Sequence, residues 1–185
     1  MDLGADAIFA YPFDARSGAL GPVQLAYKAV PGSGPRHLAF HASGQLAFLV
    51  SELANTVTLL RVQADGRMVA AGSWSSLPAG FTGARAAAEL ALNAAGTRLY
   101  VTNRGHDSVA TFAVAGDGAL TLMQHVPAGG QWPRHCLLLE SAQRLLVANE
   151  HSGTIASFRI ERDGRLSPSG PGLAVGGVSL SLIHI

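Results

Sequence analysis

Arginine, histidine and glutamate side chains occur at corresponding places along this sequence. Arg36-His37 recurs as Arg134-His135, and Arg85 and Glu89 lie between the two pairs. The planar guanidinium group of arginine binds a carboxylate or a phosphate in bidentate fashion. Histidine and glutamate act as general acids or bases, and an arginine near a carbonyl stabilises a developing oxyanion. If the fold brings these side chains together, they are suited to the recognition and turnover of a small anion.

An internal repeat relates these positions to one another. Residues 35–66, 87–118 and 133–164 superimpose without a gap, so that His37, Glu89 and His135 occupy one slot, at spacings of 52 and then 46 residues. Residues 6–20 resemble the end of an earlier copy. A period in this range is typical of solenoid and propeller architectures.

Each copy contains four short apolar or alternating runs, which predict antiparallel strands. Asp-Gly pairs follow the third run of each copy, at 65–66, 117–118 and 163–164, and indicate hairpins. Residues 84–95 are alanine-rich and would favour helix on propensity alone, but the repeat predicts a strand there. Four strands per unit indicate an all-β fold, a β-propeller of four-stranded blades, of which about 3.5 are present. The predicted bounds are a blade remnant at 1–30, blades at about 31–80, 81–128 and 129–170, and an atypical tail at 171–185.

This architecture predicts where the polar side chains meet. The innermost strand of a blade lines the central channel, and its start lies beside the end of the antiparallel second strand. His37, Glu89 and His135 begin the innermost strands, and Glu52, Asn103-Arg104 and Asn149-Glu150 end the second strands. We therefore expect all of them, with the three arginines 36, 85 and 134, to surround one mouth of the channel.

Structural roles compete with functional ones at several of these positions. Pro-Arg-His at equivalent places could serve blade packing, but the shared slot contains His, Glu and His, and this departure favours a functional Glu89. Asn103 and Asn149 are expected to cap turns. The single cysteine, Cys136, lies in an apolar strand and is expected in the core. No spacing typical of a metal site and no phosphate-binding glycine loop occurs.

Composition excludes several classes of protein. The chain has 185 residues, of which 48% are hydrophobic and 14% charged, with a formal net charge of +1. Intrinsic disorder needs lower hydrophobicity and higher charge. A nucleic-acid partner is not expected, because 13 basic residues balance 12 acidic ones. No membrane association is expected, because no apolar run is long enough to span a bilayer and the N-terminus lacks the pattern of a signal peptide. We expect a cytoplasmic protein.

Several motifs taken together resemble the propeller-type 6-phosphogluconolactonase family, whose fungal relatives are carboxy-muconate lactonizing enzymes. The resemblance extends from Asp2 to about residue 170. The motifs are Gly34-Pro35-Arg36-His37-Leu38-Ala39-Phe40-His41, Ser51-Glu52-Leu53-Ala54-Asn55-Thr56-Val57, Ala87-Ala88-Glu89, Val101-Thr102-Asn103-Arg104-Gly105-His106-Asp107-Ser108, Trp132-Pro133-Arg134-His135 and Val147-Ala148-Asn149.

The resemblance implies a seven-bladed propeller that needs no cofactor or metal and acts on a small anionic lactone, 6-phosphoglucono-1,5-lactone in the first place. It implies catalytic roles for Glu89 and His37, either of which could activate the water. It implies substrate-binding roles for Arg36, Arg85, Arg134 and His135. A muconate-type cycloisomerase and a non-enzymatic binding propeller are the alternatives.

The length of the chain departs from this family. A seven-bladed ring needs about twice as many blades, and residues 176–185 do not continue the family pattern. A half ring exposes strand edges and apolar faces. The sequence therefore predicts a C-terminal half fragment that is inactive or unstable alone and that self-associates through its open edges.

Overall fold

The computed structural model describes residues 1–179, and its regular secondary structure is almost entirely β-strand. A 3₁₀ turn, Glu140–Ala142, precedes β12. The strands are β1 (Ala7–Ala10), β2 (Gln24–Lys28), β3 (Pro35–Phe40), β4 (Leu46–Ser51), β5 (Thr56–Val62), β6 (Met68–Ser75), β7 (Ala86–Leu92), β8 (Arg98–Arg104), β9 (Ser108–Val114), β10 (Leu120–Pro127), β11 (Pro133–Leu139), β12 (Arg144–Asn149), β13 (Thr154–Ile160), β14 (Leu166–Pro168) and β15 (Leu173–Ala174).

The strands form successive antiparallel sheets in chain order. β1 pairs with β2, followed by the sheets β3-β4-β5-β6, β7-β8-β9-β10 and β11-β12-β13-β14, with β15 added to β13. The first strands of the three larger sheets, β3, β7 and β11, lie next to one another. The sheets are therefore blades of a β-propeller, and β3, β7 and β11 are their innermost strands, as the repeat predicted. The end of the predicted tail, residues 180–185, lies outside the described residues.

The alanine-rich segment is a strand, β7, in agreement with the repeat and against its helical propensity. Its small side chains suit this position, because Ala87 and Ala88 are fully buried between neighbouring blades. The adjacent strand β8 is buried along nearly its whole length, as is β4 in the preceding blade. A strand that is covered on both faces has apolar residues at consecutive positions. The sequences of β4 and β8 therefore do not alternate strictly between apolar and polar residues.

The Asp-Gly pairs form the turns between the third and fourth strands. Gly118 adopts φ +90°, which favours glycine, and a Cβ there would lie 2.8 Å from the Leu59 side chain of the preceding blade. The Asp117 carboxylate accepts a hydrogen bond from the Ala119 N–H at 3.0 Å and closes the same turn. Each such glycine therefore serves the turn, and Gly118 also lets the turn pack against its neighbour.

The core lies between the blades. Phe48, Leu59, Phe112 and Val101 pack between the sheets β3–β6 and β7–β10. A second cluster packs between β7–β10 and β11–β14 and includes Cys136, which is buried as predicted. Each interface is thus a face-to-face contact of two sheets, and loss of one blade would expose the apolar face of the next.

The two-stranded sheet at the N-terminus exposes large apolar side chains. Phe9 lies opposite Leu25, and Phe13 lies opposite Leu20, and all four side chains are exposed. Exposed apolar patches of this kind mark interaction or aggregation surfaces.

We expect the chain to self-associate through this N-terminal patch. The double variant Phe13→Ser/Leu20→Ser should lower the weight-average mass measured by sedimentation velocity, because it removes apolar area that association would bury. Val69→Ser/Leu122→Ser, at exposed positions on the outer strands β6 and β10, should leave the mass unchanged. A wild-type chain that sediments as a monomer at every concentration would contradict the expectation.

Candidate functional site

The strand ends that carry the predicted polar residues meet at one edge of the sheets, and some of their side chains contact one another there: His37, Glu89 and His135, and Arg36, Glu52 and Arg104. The starts of β3, β7 and β11 lie beside the ends of β4, β8 and β12, as the pairings Pro35–Ser51, Ala86–Arg104 and Pro133–Asn149 show. Three consecutive blades therefore contribute side chains to a single cluster.

Glu89 lies at the centre of this cluster, between two histidines from the neighbouring blades. Its Oε2 atom lies 2.9 Å from Nδ1 of His135, a hydrogen-bond distance, and its Oε1 atom lies 3.5 Å from Nδ1 of His37. Oε1 also accepts a hydrogen bond from the Leu90 N–H at 3.1 Å. Both carboxylate oxygens are thus occupied, and the side chain is only 12% exposed.

A β-bulge gives Glu89 its orientation. Ala87 pairs with Asn103 and Leu90 pairs with Val101, so Ala88 and Glu89 together face the single residue Thr102. The Glu89 N–H donates to the Thr102 hydroxyl at 2.9 Å in place of a backbone carbonyl. The corresponding strands β3 and β11 carry a register shift at the same place. Bulges next to active sites redirect side chains, and here they turn the start of each inner strand towards the cluster.

His37 is the more accessible of the two histidines, with 40% of its side chain exposed against 14% for His135. Burial lowers the pKa of the His37 imidazole below its ordinary value of 6.5. Arg36 and His135 lower this pKa as well, whereas the Glu89 carboxylate opposes the shift. His37 is therefore neutral at pH 7 and able to accept a proton.

The three predicted substrate-binding arginines have different environments. Arg36 is held by two groups, with Nε 3.0 Å from Glu52 Oε2 and Nη1 donating to the Ala88 carbonyl at 2.8 Å. Arg134 is 41% exposed and pairs with Glu150 at 3.2 Å. Arg85 is exposed in the loop before β7 and belongs to none of the ion pairs found within residues 1–179. Arg85 and Arg134 are thus the more accessible arginines.

A close backbone contact places the loop that carries Arg85. Gly105 has φ +82°, and a Cβ at this position would lie 2.0 Å from the Ala84 carbonyl oxygen. The Arg85 guanidinium group donates to the Phe81 carbonyl at 3.4 Å. The turn after β8 therefore supports the segment immediately before Arg85.

The two asparagines have structural roles, but they do more than cap a local turn. The Asn103 side-chain amide donates to the Ser76 carbonyl at 2.9 Å, and that of Asn149 donates to the Ala128 carbonyl at 3.1 Å. Ser76 and Ala128 lie just after the last strand of the preceding blade. Both asparagines therefore fasten one blade to the connection that leaves the one before it.

The cluster also contains Arg104 and Trp132, for which the sequence analysis predicted no function. The Arg104 side chain is 6% exposed and lies 3.0 Å from Glu52, and its guanidinium carbon lies 5.6 Å from the centre of the Trp132 ring. Trp132 stacks on His151 at 4.5 Å and has φ +63°, a strained value for a bulky residue. The repeat does single out Arg104, because the equivalent positions of the other two blades are the glutamates Glu52 and Glu150.

Neither a metal nor a membrane span is indicated by the part of the chain that the structure describes. Within residues 1–179, no three His, Cys, Asp or Glu side chains are grouped so that they could ligate a metal ion. No helix in the same residues is long and apolar enough to cross a bilayer.

Comparison with known proteins relates the whole described chain to one family. The family described as "Lactonase, 7-bladed beta-propeller" matches residues 1–180. A 6-phosphogluconolactonase of Bacillus subtilis is 32% identical over 170 residues, which cover 90% of this chain and 48% of that protein.

Solved structures agree with this relation. A Lactobacillus plantarum protein superimposes with a TM-score of 0.89 at 31% identity, covering 96% of this chain and 52% of the other. A periplasmic gluconolactonase of Pseudomonas aeruginosa superimposes with a TM-score of 0.87 at 35% identity, covering 95% and 50%. The chain thus spans about half the length of the relatives that it matches.

Proposed function

The chain belongs to the lactonase family of seven-bladed β-propellers, and on that premise we propose that its Glu89 site hydrolyses the cyclic ester of a sugar lactone. The observation that supports this most strongly is the carboxylate held between two histidines at the channel mouth. A paired carboxylate and imidazole is an arrangement that activates water for attack on an ester carbonyl.

His37 is the better candidate for the general base. Its imidazole is accessible and neutral at pH 7, whereas both oxygens of Glu89 are already engaged by protein groups. In this assignment, Nε2 of His37 removes a proton from water as the water oxygen attacks the lactone carbonyl. The negative charge of Glu89 stabilises the imidazolium ion that forms. The 3.5 Å separation is longer than a good hydrogen bond and would shorten in the complex with substrate.

The remaining bond-breaking and proton-transfer steps use only the groups already named. The tetrahedral intermediate collapses, the bond between the carbonyl carbon and the ring oxygen breaks, and the imidazolium proton passes to the leaving ring oxygen. The products on one open chain are a hydroxyl group and a carboxylic acid, which keeps the second proton of the water and releases it to solvent to become a carboxylate. Arg85 and Arg134 are assigned to the substrate, because their guanidinium groups are less committed than that of Arg36. His135 is assigned to assist them.

We propose 6-phosphoglucono-1,5-lactone as the substrate, in line with the name of the B. subtilis relative. A second candidate is the unphosphorylated gluconolactone. Two observations favour it: the name of the P. aeruginosa relative and the carboxylate partners of Arg36 and Arg134, which leave Arg85 as the unpaired arginine at this mouth within the described residues. Two or more uncompensated arginines would suit a phosphate dianion better.

The test is hydrolysis of the two lactones by a seven-bladed protein that contains this chain, measured as the rate above the spontaneous one. A muconolactone serves as a third substrate and tests the cycloisomerase alternative. We expect at least one gluconolactone to be opened, and Arg85→Met to raise KM more for the phosphorylated lactone than for the unphosphorylated one. Rates equal to the spontaneous rate for both gluconolactones would refute the proposal, whatever the result with the muconolactone. The isolated 185-residue chain is expected to show little activity, because one arc of the channel leaves the substrate open to water.

The pH dependence of kcat/KM distinguishes the two possible bases. His37 is faced by Glu89 from β7, His135 from β11, Glu52 after β4 and its own neighbour Arg36. Because its pKa is lowered, activity should persist as the pH falls below 6.5 and disappear only as the pH passes through the lowered pKa. A pH–rate profile should show this acidic limb, and His37→Gln should remove it. A limb near pH 4, in the ordinary carboxyl range, would identify a carboxylate base instead.

A further inference from the structure

Arg104 is a buried arginine at the end of β8 that donates hydrogen bonds to the strand that carries Glu89. Its Nε donates to the Ala86 carbonyl at 3.2 Å, and its Nη2 donates to the Ala87 carbonyl at 3.1 Å. The same Nη2 lies 3.0 Å from Oε1 of Glu52, in the preceding blade. A buried guanidinium group needs such partners, because removing an unpaired charge from water is costly.

Two arginines together hold the backbone just before Glu89. Arg36 donates to the carbonyl of Ala88 at 2.8 Å, so three consecutive carbonyls, those of residues 86, 87 and 88, accept from guanidinium groups. The carboxylate of Glu52 bridges both arginines, with 3.0 Å to each. The Ala87 N–H also donates to the backbone carbonyl of Glu52 at 3.1 Å. This segment leads directly into the bulge that orients Glu89.

The repeat shows that this arrangement is specific to the middle blade. In the first and third blades, an arginine before the histidine pairs with a glutamate of its own blade, as Arg36–Glu52 and Arg134–Glu150. In the middle blade the corresponding residues are Ala88 and Arg104, and the histidine is replaced by Glu89. The three departures from the repeat thus occur together and surround one stretch of backbone. A tether needed by every blade would recur in every blade.

We propose that Arg104, held by Glu52, is a positioning residue that fixes the Glu89 carboxylate between His37 and His135. Arg104 acts through the backbone of Ala86 and Ala87, whose carbonyls it binds. Without it, two carbonyls lose their donor, the bulge relaxes, and the carboxylate no longer stays between the two rings. This holds whether or not the site hydrolyses a lactone, so it is tested without an activity assay.

Arg98, at the other end of the same strand, provides a matched control. It also donates to backbone carbonyls, those of Asp163 at 2.7 Å and Thr97 at 2.7 Å, and so joins β8 to the next blade. Arg98→Met therefore removes a comparable tether far along the strand from Glu89. A change in the histidine NMR signals that comes only from looser packing between blades should appear in both Arg104→Met and Arg98→Met.

The experiment compares Arg104→Met with Arg98→Met by ¹H–¹⁵N NMR of the histidine side chains. In the wild type, the Nδ1–H proton of His135, bonded to Glu89, should give a downfield resonance. Arg104→Met should abolish that resonance and lower the pKa of His37 by roughly half a unit or more, because a nearby negative charge is lost. Arg98→Met should leave both unchanged. A folded Arg104→Met protein with wild-type histidine signals would overturn the proposal.

Two further variants keep the test decisive if Arg104→Met does not fold. Glu52→Gln removes, at nearly constant volume, the charge that holds both arginines. It should weaken the His135 Nδ1–H resonance, which does not depend on the direct effect of the Glu52 charge on His37. Arg104→Lys keeps the charge but loses the planar fork, and it should restore the signals only in part. Wild-type signals in Glu52→Gln would also overturn the proposal.

Discussion

Replacement of Glu89 by glutamine should lower kcat for lactone hydrolysis by about 10²–10⁴-fold. It would impair the general base His37, and a positioned acid–base group contributes a factor in this range. Glutamine has nearly the same volume but carries no charge, so the imidazolium ion formed at His37 would lose the carboxylate that stabilises it. Its amide group would also face the Nδ1 atoms of two histidines, and one of these contacts would lose its acceptor. The measurement is the steady-state rate above the spontaneous rate.

Glu161→Gln is the matched control for this variant. Glu161 follows β13 and pairs with Arg159 at 2.7 Å, on a part of the surface that does not belong to the Glu89 cluster. It should change neither kcat nor KM. Equal rates for wild type and Glu89→Gln would exclude a catalytic role for Glu89 and with it the proposed mechanism.

Replacement of Phe112 by alanine should destabilise the protein by about 3–5 kcal/mol, the usual cost of removing a fully buried phenylalanine. Phe112 is 1% exposed and lies in the cluster between the sheets β3–β6 and β7–β10. The cavity would open between two blades whose mutual packing also places His37 beside Glu89. Urea unfolding, followed by circular dichroism, measures the change.

Phe40→Ala tests whether the cost comes from burial. Phe40 ends β3 and is more than half exposed, so its truncation should cost well under about 1 kcal/mol. Comparable losses for Phe40→Ala and Phe112→Ala would contradict the assignment of the core to the interface between blades.

The blades themselves were predictable because they depend on local patterns that the repeat displays three times. The residues of β7 show how strong that signal is, since their alanine content favours helix and the register of the repeat still identified a strand. The meeting of His37, Glu89 and His135 was predictable for the same reason, because equivalent positions of successive blades face one channel. The prediction of a self-associating, inactive half ring stays untested.

The partners of the arginines were not predictable in this way. From the sequence, the same substrate-binding role was predicted for Arg36, Arg85 and Arg134. In the structure, Arg36 pairs with Glu52 and Arg134 pairs with Glu150, whereas Arg85 is exposed in its loop. These differences depend on side-chain directions and on the distance between adjacent blades, neither of which is encoded in the spacing of residues along one strand.

The sequence by itself thus determined the all-β repeat, the order of the strands and the slot that contains Glu89, because strand pairing within a blade involves neighbours in the chain. Only the tertiary structure decided that Arg104 reaches Glu52 and supports the backbone before Glu89. That contact joins residues 52 and 104 from different blades, and it forms because a buried guanidinium group must find acceptors wherever the packing of two sheets provides them.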